Sequence, residues 1–163
     1  MADQSTPPMA RPRVAAGVLI HDAAMNVLLV KPTYKDGWDI PGGYVEPDES
    51  PAQAAERELR EELGMPRTCG RLLVVDWAPH PAEGDKLLFV FDGGLLVPDD
   101  EVQPRPDGNE IAEACLWAPA MFNELMPARL ARRLRLAVDL LAAPARRTAY
   151  AEHGALVRAD VTA

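Results

Sequence analysis

The stretch GYVEPDESPAQAAERELREELGM, residues 43–65, decides the architecture and most of the chemistry. Its helix opens at Ser50, whose hydroxyl suits the first unpaired backbone N–H groups, with Pro51 at the first helical position, where no N–H is needed. Gly64 stops it, because glycine enters the left-handed conformation that ends a helix without a Cβ clash. Between these marks Ala52, Ala55, Leu59 and Leu63 recur at helical spacing and predict a buried stripe. Glu58, Glu61 and Glu62 stand at i, i+3 and i+4, so their carboxylates leave the helix within an arc of ~100°, centred roughly 110° around from the stripe.

Charged helix faces are ordinarily just solvated, but the energetics of this one argue otherwise. Glu61 and Glu62 occupy the last turn, at the negative end of the helix dipole, where each acid costs on the order of 0.3–1 kcal/mol. The like-charged pairs with Glu58 add roughly 0.2–0.5 kcal/mol each. Arg57 and Arg60 offset part of this and are expected to point away from the patch. A bound cation would remove the penalty. Oxygen ligands without Cys or His suit Mg²⁺, with Mn²⁺ as a substitute, and disfavour zinc. Mg²⁺ usually shares its sphere with water and substrate phosphate, which points to phosphoryl chemistry. Gly42 and Gly43, directly upstream, let a carbonyl and a bare backbone approach metal and phosphate.

Working outward, residues 14–20 and 26–30 read as a strand hairpin, and residues 38–40 as an extended piece running into the breaker Pro41-Gly42-Gly43. Beyond the helix, residues 72–77, 86–91, 95–97 and 114–117 are predicted strands. Residues 127–142 are a second helix with Leu130, Leu134, Ala137 and Leu141 on one face. Residues 148–157 add an extended piece. The expected fold is α/β, a mixed sheet with helices on both faces. A chain of 163 residues makes one domain, here 13–143, between a mobile tail at 1–12 and a C-terminal extension at 144–163.

Composition narrows the function. A net charge of −8 gives no electrostatic footprint for duplex nucleic acid. No apolar run is long enough for a membrane span, and MADQSTPPMARPR has no basic-then-apolar signal segment. Cys69 and Cys115 fit neither a disulfide framework nor a zinc site. The cytoplasm is the expected location.

Gly43, five residues, Glu49, seven residues, then Arg57-Glu58-Leu59-Arg60-Glu61-Glu62-Leu63-Gly64-Met65 resembles the Nudix box, G-x5-E-x7-R-E-U-x-E-E-x-G-U, with every specified position filled. The adjoining WDIPGG and the preceding hairpin also look like that family's context. The resemblance implies an α/β/α sandwich and divalent-metal-dependent hydrolysis of a nucleoside diphosphate linked to another group, a triphosphate or a nucleotide sugar such as ADP-ribose. It implies that Glu58, Glu61 and Glu62 are metal-binding and base positions and that the Gly42 carbonyl is a further ligand. Arg57 and Glu49 would form an ion pair locking loop to helix. The base stays open between Glu58 and a late loop acid. Glu101, Glu110 and Glu113 are the candidates for that acid, and Glu110, after Asp107-Gly108-Asn109, is favoured as a metal ligand over the plainer reading of a solvated loop residue.

Gly43, Trp38 and Tyr44 are expected at the substrate, the two aromatics being equally suited to packing. Pro79 and Pro81 bracket a proline position found in ADP-ribose hydrolases but do not decide specificity. Arg129, Arg132, Arg133 and Arg135 read as a solvated face, and His21, His80 and His153 have no mutual spacing that suggests a site. The expected partner is a small nucleotide diphosphate, without duplex nucleic acid or membrane and with room for a homodimer. The rival function is a catalytically silent nucleotide-sensing module on the same fold.

Overall fold

β1 (Arg13–His21) lies inside a sheet that the chain crosses repeatedly, in a computed structural model that describes residues 8–98 and 102–157. The other strands are β2 (Val27–Pro32), β3 (Gly42–Tyr44), β4 (Leu72–Trp77), β5 (Lys86–Leu95), β6 (Ile111–Trp117), β7 (Ala149–Glu152) and β8 (Ala155–Leu156). Their order is β6-β2-β1-β5-β4-β7-β8, with β3 paired to β1 off this path. β1 runs parallel to β5 and β4 parallel to β7, while the remaining pairs are antiparallel. The sheet is therefore mixed, as predicted.

Alternation along the strands sorts the core into two layers. Ala16, Val18 and Ile20 of β1 and Leu28 and Val30 of β2 pack with Ala54, Ala55, Leu59 and Leu63 of α1 (Pro51–Leu63). Leu19, Val27 and Leu29 face the other way, toward Leu130, Ala131, Leu134 and Ala137 of α3 (Ala128–Ala142). A short helix, α2 (Phe122–Leu125), adds the buried Phe122 to this second layer. α1 begins as predicted: the Ser50 side chain accepts from Gln53 N–H, and the Gln53 side chain returns a bond to the Ser50 backbone. Gly64 ends it at φ 63°. The buried side is Ala54, Ala55, Leu59, Glu62 and Leu63, so the apolar stripe takes in one of the three carboxylates.

Three elements depart from expectation. The glycine pair is not only a turn: Gly42 and Gly43 begin β3, paired with Gly17 and Ala16 of β1. Of the predicted strand at 95–97 only Leu95 is in a strand, as the end of β5, which continues through Gly93 and Gly94 to pair Leu95 with His21 across an irregularity in the β1 register. β6 starts three residues earlier than predicted, because pairing with β2 extends back to Pro32. The C-terminal extension supplies β7 and β8 to the same sheet. Among the described residues no helix is long and apolar enough to cross a membrane.

Candidate active site

α1 and β3 meet where the helix turns its acidic face to the glycine pair. Gly42 takes φ 147°, and a Cβ there would lie 2.2 Å from the Ala16 carbonyl oxygen, so only glycine lets β3 come this close to β1. A Cβ on Gly43 would lie 2.2 Å from Glu58 Oε1. The bare backbone is what admits the Glu58 carboxylate. Gly42 N–H donates to Glu62 Oε2 at 3.0 Å, and this is the hydrogen bond that ties the helix to the turn.

Glu62 is only 5% exposed and, among the described residues, has no cation within ion-pair distance. Burial is the main cause that pushes its carboxyl up to about 8; the Gly42 bond opposes the rise, and Glu58, Asp39 and Glu110 add to it. Glu58 is raised too, chiefly by burial, with Arg57 opposing and Glu61 and Glu110 contributing. Glu110 therefore acts electrostatically on both helix carboxylates. Its backbone N–H is held by Asp107 in the loop before β6. Glu113 instead faces Lys31 at 4.0 Å on the paired strand β2, and Glu101 lies outside the described residues.

Arg57 does not point away from the patch, contrary to the sequence expectation. Its Nε and Nη2 donate to both oxygens of Glu49 at 3.2 and 2.8 Å, and Nη2 also reaches the Tyr44 carbonyl at 3.1 Å. Nη1 donates to Glu58 at 2.8 Å and to Glu61 at 3.0 Å. The i, i+4 relation to Glu61 was readable from spacing alone. Glu49, first through Arg57, is held below the usual carboxylate range. The pairing of Arg57 with Glu49 stands as expected, and it pins β3 and the following loop onto α1.

The donor set passes a chemical test for a hard divalent cation. Glu62 is a buried carboxylate without a counter-charge, Glu58 and Glu61 share a single guanidinium, and the backbone beside them carries no side chain. No three His, Cys, Asp or Glu groups among the described residues converge as a ready cage. Arg57 Nη1 donates to Glu58 and Glu61 both.

Beside Gly42 and Gly43 opens a cleft of about 420 Å³. It crosses β1 and β5 and is bounded by the loop before β3 and by α3. Trp38 and Tyr44 both line it. Trp38 also packs edge-on to Trp117 at 5.5 Å, so it serves the core and the cleft together. The Tyr44 hydroxyl donates to Glu83 at 2.7 Å, and Lys86 Nζ lies 5.2 Å from its ring centroid. Tyr34, Lys35 and His80 line the cleft as well and were not singled out as substrate contacts by spacing. A signal existed for Lys35, four residues before Asp39, to which it donates at 2.7 Å.

The basic run on α3 is a solvated face only in part: Arg129 and Arg132 are exposed, as expected, whereas Arg133 is buried. Arg133 donates to buried Asp76 at 2.5 Å, Arg132 donates to the His153 carbonyl, and Arg135 to Asn123 and the Pro119 carbonyl. Helical periodicity placed all four on the polar side, but β4 and the β7–β8 turn cover Arg133 there.

Comparison with known proteins agrees with this geometry. Residues 11–140 match the NUDIX domain. Diphosphoinositol polyphosphate phosphohydrolase 3-alpha of Mus musculus is 52% identical over 77 residues, 47% of this chain and 47% of that protein. The chain thus matches about half or less of the length of its curated relatives. Among solved structures, the MutT protein of Methanosarcina mazei superposes with a TM-score of 0.67 at 24% identity, over 83% of this chain and 100% of that one. An ADP-ribose pyrophosphatase of Streptococcus suis gives 0.60 at 18% identity, over 87% and 99%. At these identities the two structures speak for the fold alone.

Proposed function

The chain belongs to the Nudix family, and on that premise we propose that it is an Mg²⁺-dependent pyrophosphohydrolase, with Mn²⁺ as substitute, that cleaves the diphosphate of a nucleoside diphosphate derivative. The observation that carries this is Glu62: a carboxylate buried without a cation, bonded to the very turn that a diphosphate would approach. Glu58, Glu61, Glu62 and the Gly42 carbonyl would hold the cation, with Glu110 reaching in from the loop before β6. When bound, the cation would neutralise diphosphate charge and make water a better nucleophile.

The remaining work falls to the chain. Arg57 holds Glu58 against Gly43 and fixes the loop through Glu49, so the acidic face and the backbone it serves cannot drift apart. Glu58, raised by burial, is suited to accept the proton of the attacking water at its carboxylate, a role it shares as candidate with Glu110. Gly43, without a side chain, lets the Glu58 carboxylate lie against the backbone that the diphosphate would approach. Trp38 and Tyr44 bound the cleft that receives the group attached to the diphosphate.

The test is incubation with Mg²⁺ and a panel of nucleoside triphosphates, ADP-ribose, other nucleotide sugars and a diphosphoinositol polyphosphate, reading phosphate or monophosphate release. Metal-dependent cleavage of at least one is expected. Tight binding without turnover across the panel would favour a nucleotide sensor instead.

A further inference from the structure

Among the described residues, Lys35, Lys86, Arg129 and Arg133 are the lysine and arginine side chains that line the cleft. Three of them are matched internally: Lys35 with Asp39, Lys86 with Glu83, and Arg133 with Asp76. Arg129 is exposed and, among the described residues, has neither a hydrogen-bond nor an ion-pair partner. The other unpaired charge of the cleft is Asp36, a carboxylate, which offers an anion nothing.

The backbone at Arg129 is closely packed. A Cβ on Gly154 would lie 2.3 Å from the Arg129 carbonyl oxygen and 2.7 Å from Arg133 N, so the β7–β8 turn lies flat on this turn of α3. Gly154 N–H donates to Asp76 Oδ1 at 3.0 Å while Arg133 takes Oδ2, fixing turn and helix to the same buried carboxylate. A free guanidinium is thus presented from a rigid wall. That wall packs on β4, whereas Gly42 and Gly43 belong to β3, across β1 and β5. Three strand spacings of ~4.8 Å put β4 about 14 Å from β3, far enough for a second group of one substrate.

We propose that Arg129 is a specificity-determining residue that binds a phosphate monoester carried by the substrate apart from the scissile diphosphate. This rests on the reading that the Gly42–Gly43 end takes the diphosphate. A guanidinium offers a planar fork that matches phosphate oxygens two at a time, and a ligand that covered it without an anion would bury an unmatched charge. The neighbouring cations, already paired, do not compete for that phosphate.

Two probe pairs differ by one such group: ADP-ribose against its 2′-phosphate, and dephospho-coenzyme A against coenzyme A. Kd is measured by calorimetry in chelator, and kcat/KM with Mg²⁺. Wild type is expected to favour the phosphorylated member of at least one pair by roughly tenfold, the range of a hydrogen bond to a charged group. Arg129→Gln should bring that ratio to about one and Arg129→Lys should keep part of it. Arg146→Gln, which removes the same charge from an exposed loop before β7, should leave it in place. No preference in wild type, a preference that survives Arg129→Gln, one lost equally in Arg146→Gln, or no binding of any probe up to millimolar concentration overturns the proposal. Absence of turnover with a preserved binding ratio overturns the hydrolase reading alone.

Discussion

Two arginines organise this molecule, and they do it in opposite ways. Arg133 is buried and meets one acid, Asp76, whose other oxygen is taken by Gly154 N–H, so the group is closed. Arg57 is half-buried, its side chain 19% exposed, and spreads one guanidinium over Glu49, Glu58 and Glu61, while Glu62, among the described residues, has no cation. Charge is balanced in the first centre and left negative in the second. A closed buried pair fixes geometry and has no capacity for a ligand. An acidic group with too few cations keeps the capacity for one more, which a closed pair lacks.

If that contrast holds, the largest effect belongs to the closed centre. Asp76→Ala should cost about 3–5 kcal/mol in urea denaturation, because it strands the Arg133 charge in the core. A loss below ~1 kcal/mol would erase the distinction. At the open centre the effect moves from stability to rate: Glu62→Gln should lower kcat at least ~10²-fold, or about 2.7 kcal/mol of barrier. The same variant should be the more stable protein in chelator above pH 8, by on the order of 1 kcal/mol. Equal or lower melting temperature there would place Glu62 among the supports.

The pH dependence sharpens this. Burial raises Glu62 to about 8 from an ordinary 4.5, so the chelated folded chain keeps a proton that the unfolded chain has already released. Its contribution to stability is complete at acid pH and is lost as the pH climbs through about 8. Thermal melts in chelator from pH 5 to 9 should show that fall in wild type and a flatter profile in Glu62→Gln.

Smaller still is the coupling of Arg57 to Glu49. A double-mutant cycle of Arg57→Ala and Glu49→Ala on kcat should depart from additivity by about 1 kcal/mol, and additive effects would contradict their bidentate pairing. Smallest is Glu61. Its carboxylate is 60% exposed and its partner is shared, so Glu61→Gln should shift stability by less than ~0.5 kcal/mol. The dipole and like-charge costs that spacing assigns to Glu61 are opposed by its Arg57 bond at 3.0 Å.

What was legible in the chain follows from how local each feature is. The α1 boundaries could be read because Ser50, Pro51 and Gly64 act within one turn of themselves. The placement of Glu58, Glu61 and Glu62 on one helix was legible for the same reason, and so was the alternation that made β1 and β2 a hairpin. The direction of Arg57 departs from the sequence expectation because Glu49 and the Tyr44 carbonyl, both before the helix, draw its guanidinium across the acidic face. Asp76 passed as one residue of a strand because its partners are 57 and 78 positions away, and nothing in LLVVDW announces them. The sequence reads Gly42 and Gly43 as a turn because glycine has low strand propensity; contact with β1 overrides it. The cleft belongs to this second class, as it exists only where three strands and a helix meet.

The separation of Asp76 from its partners also orders events in time. On a chain emerging from the ribosome, β4 is complete long before α3 and the β7–β8 turn exist, so the Asp76 carboxylate spends that interval hydrated. It loses its water only when Arg133 and then Gly154 arrive, and such long-range closure is a slow, late step of folding. The half of the molecule that carries Glu58, Glu61 and Glu62 can assemble its local structure early. The wall opposite is finished last.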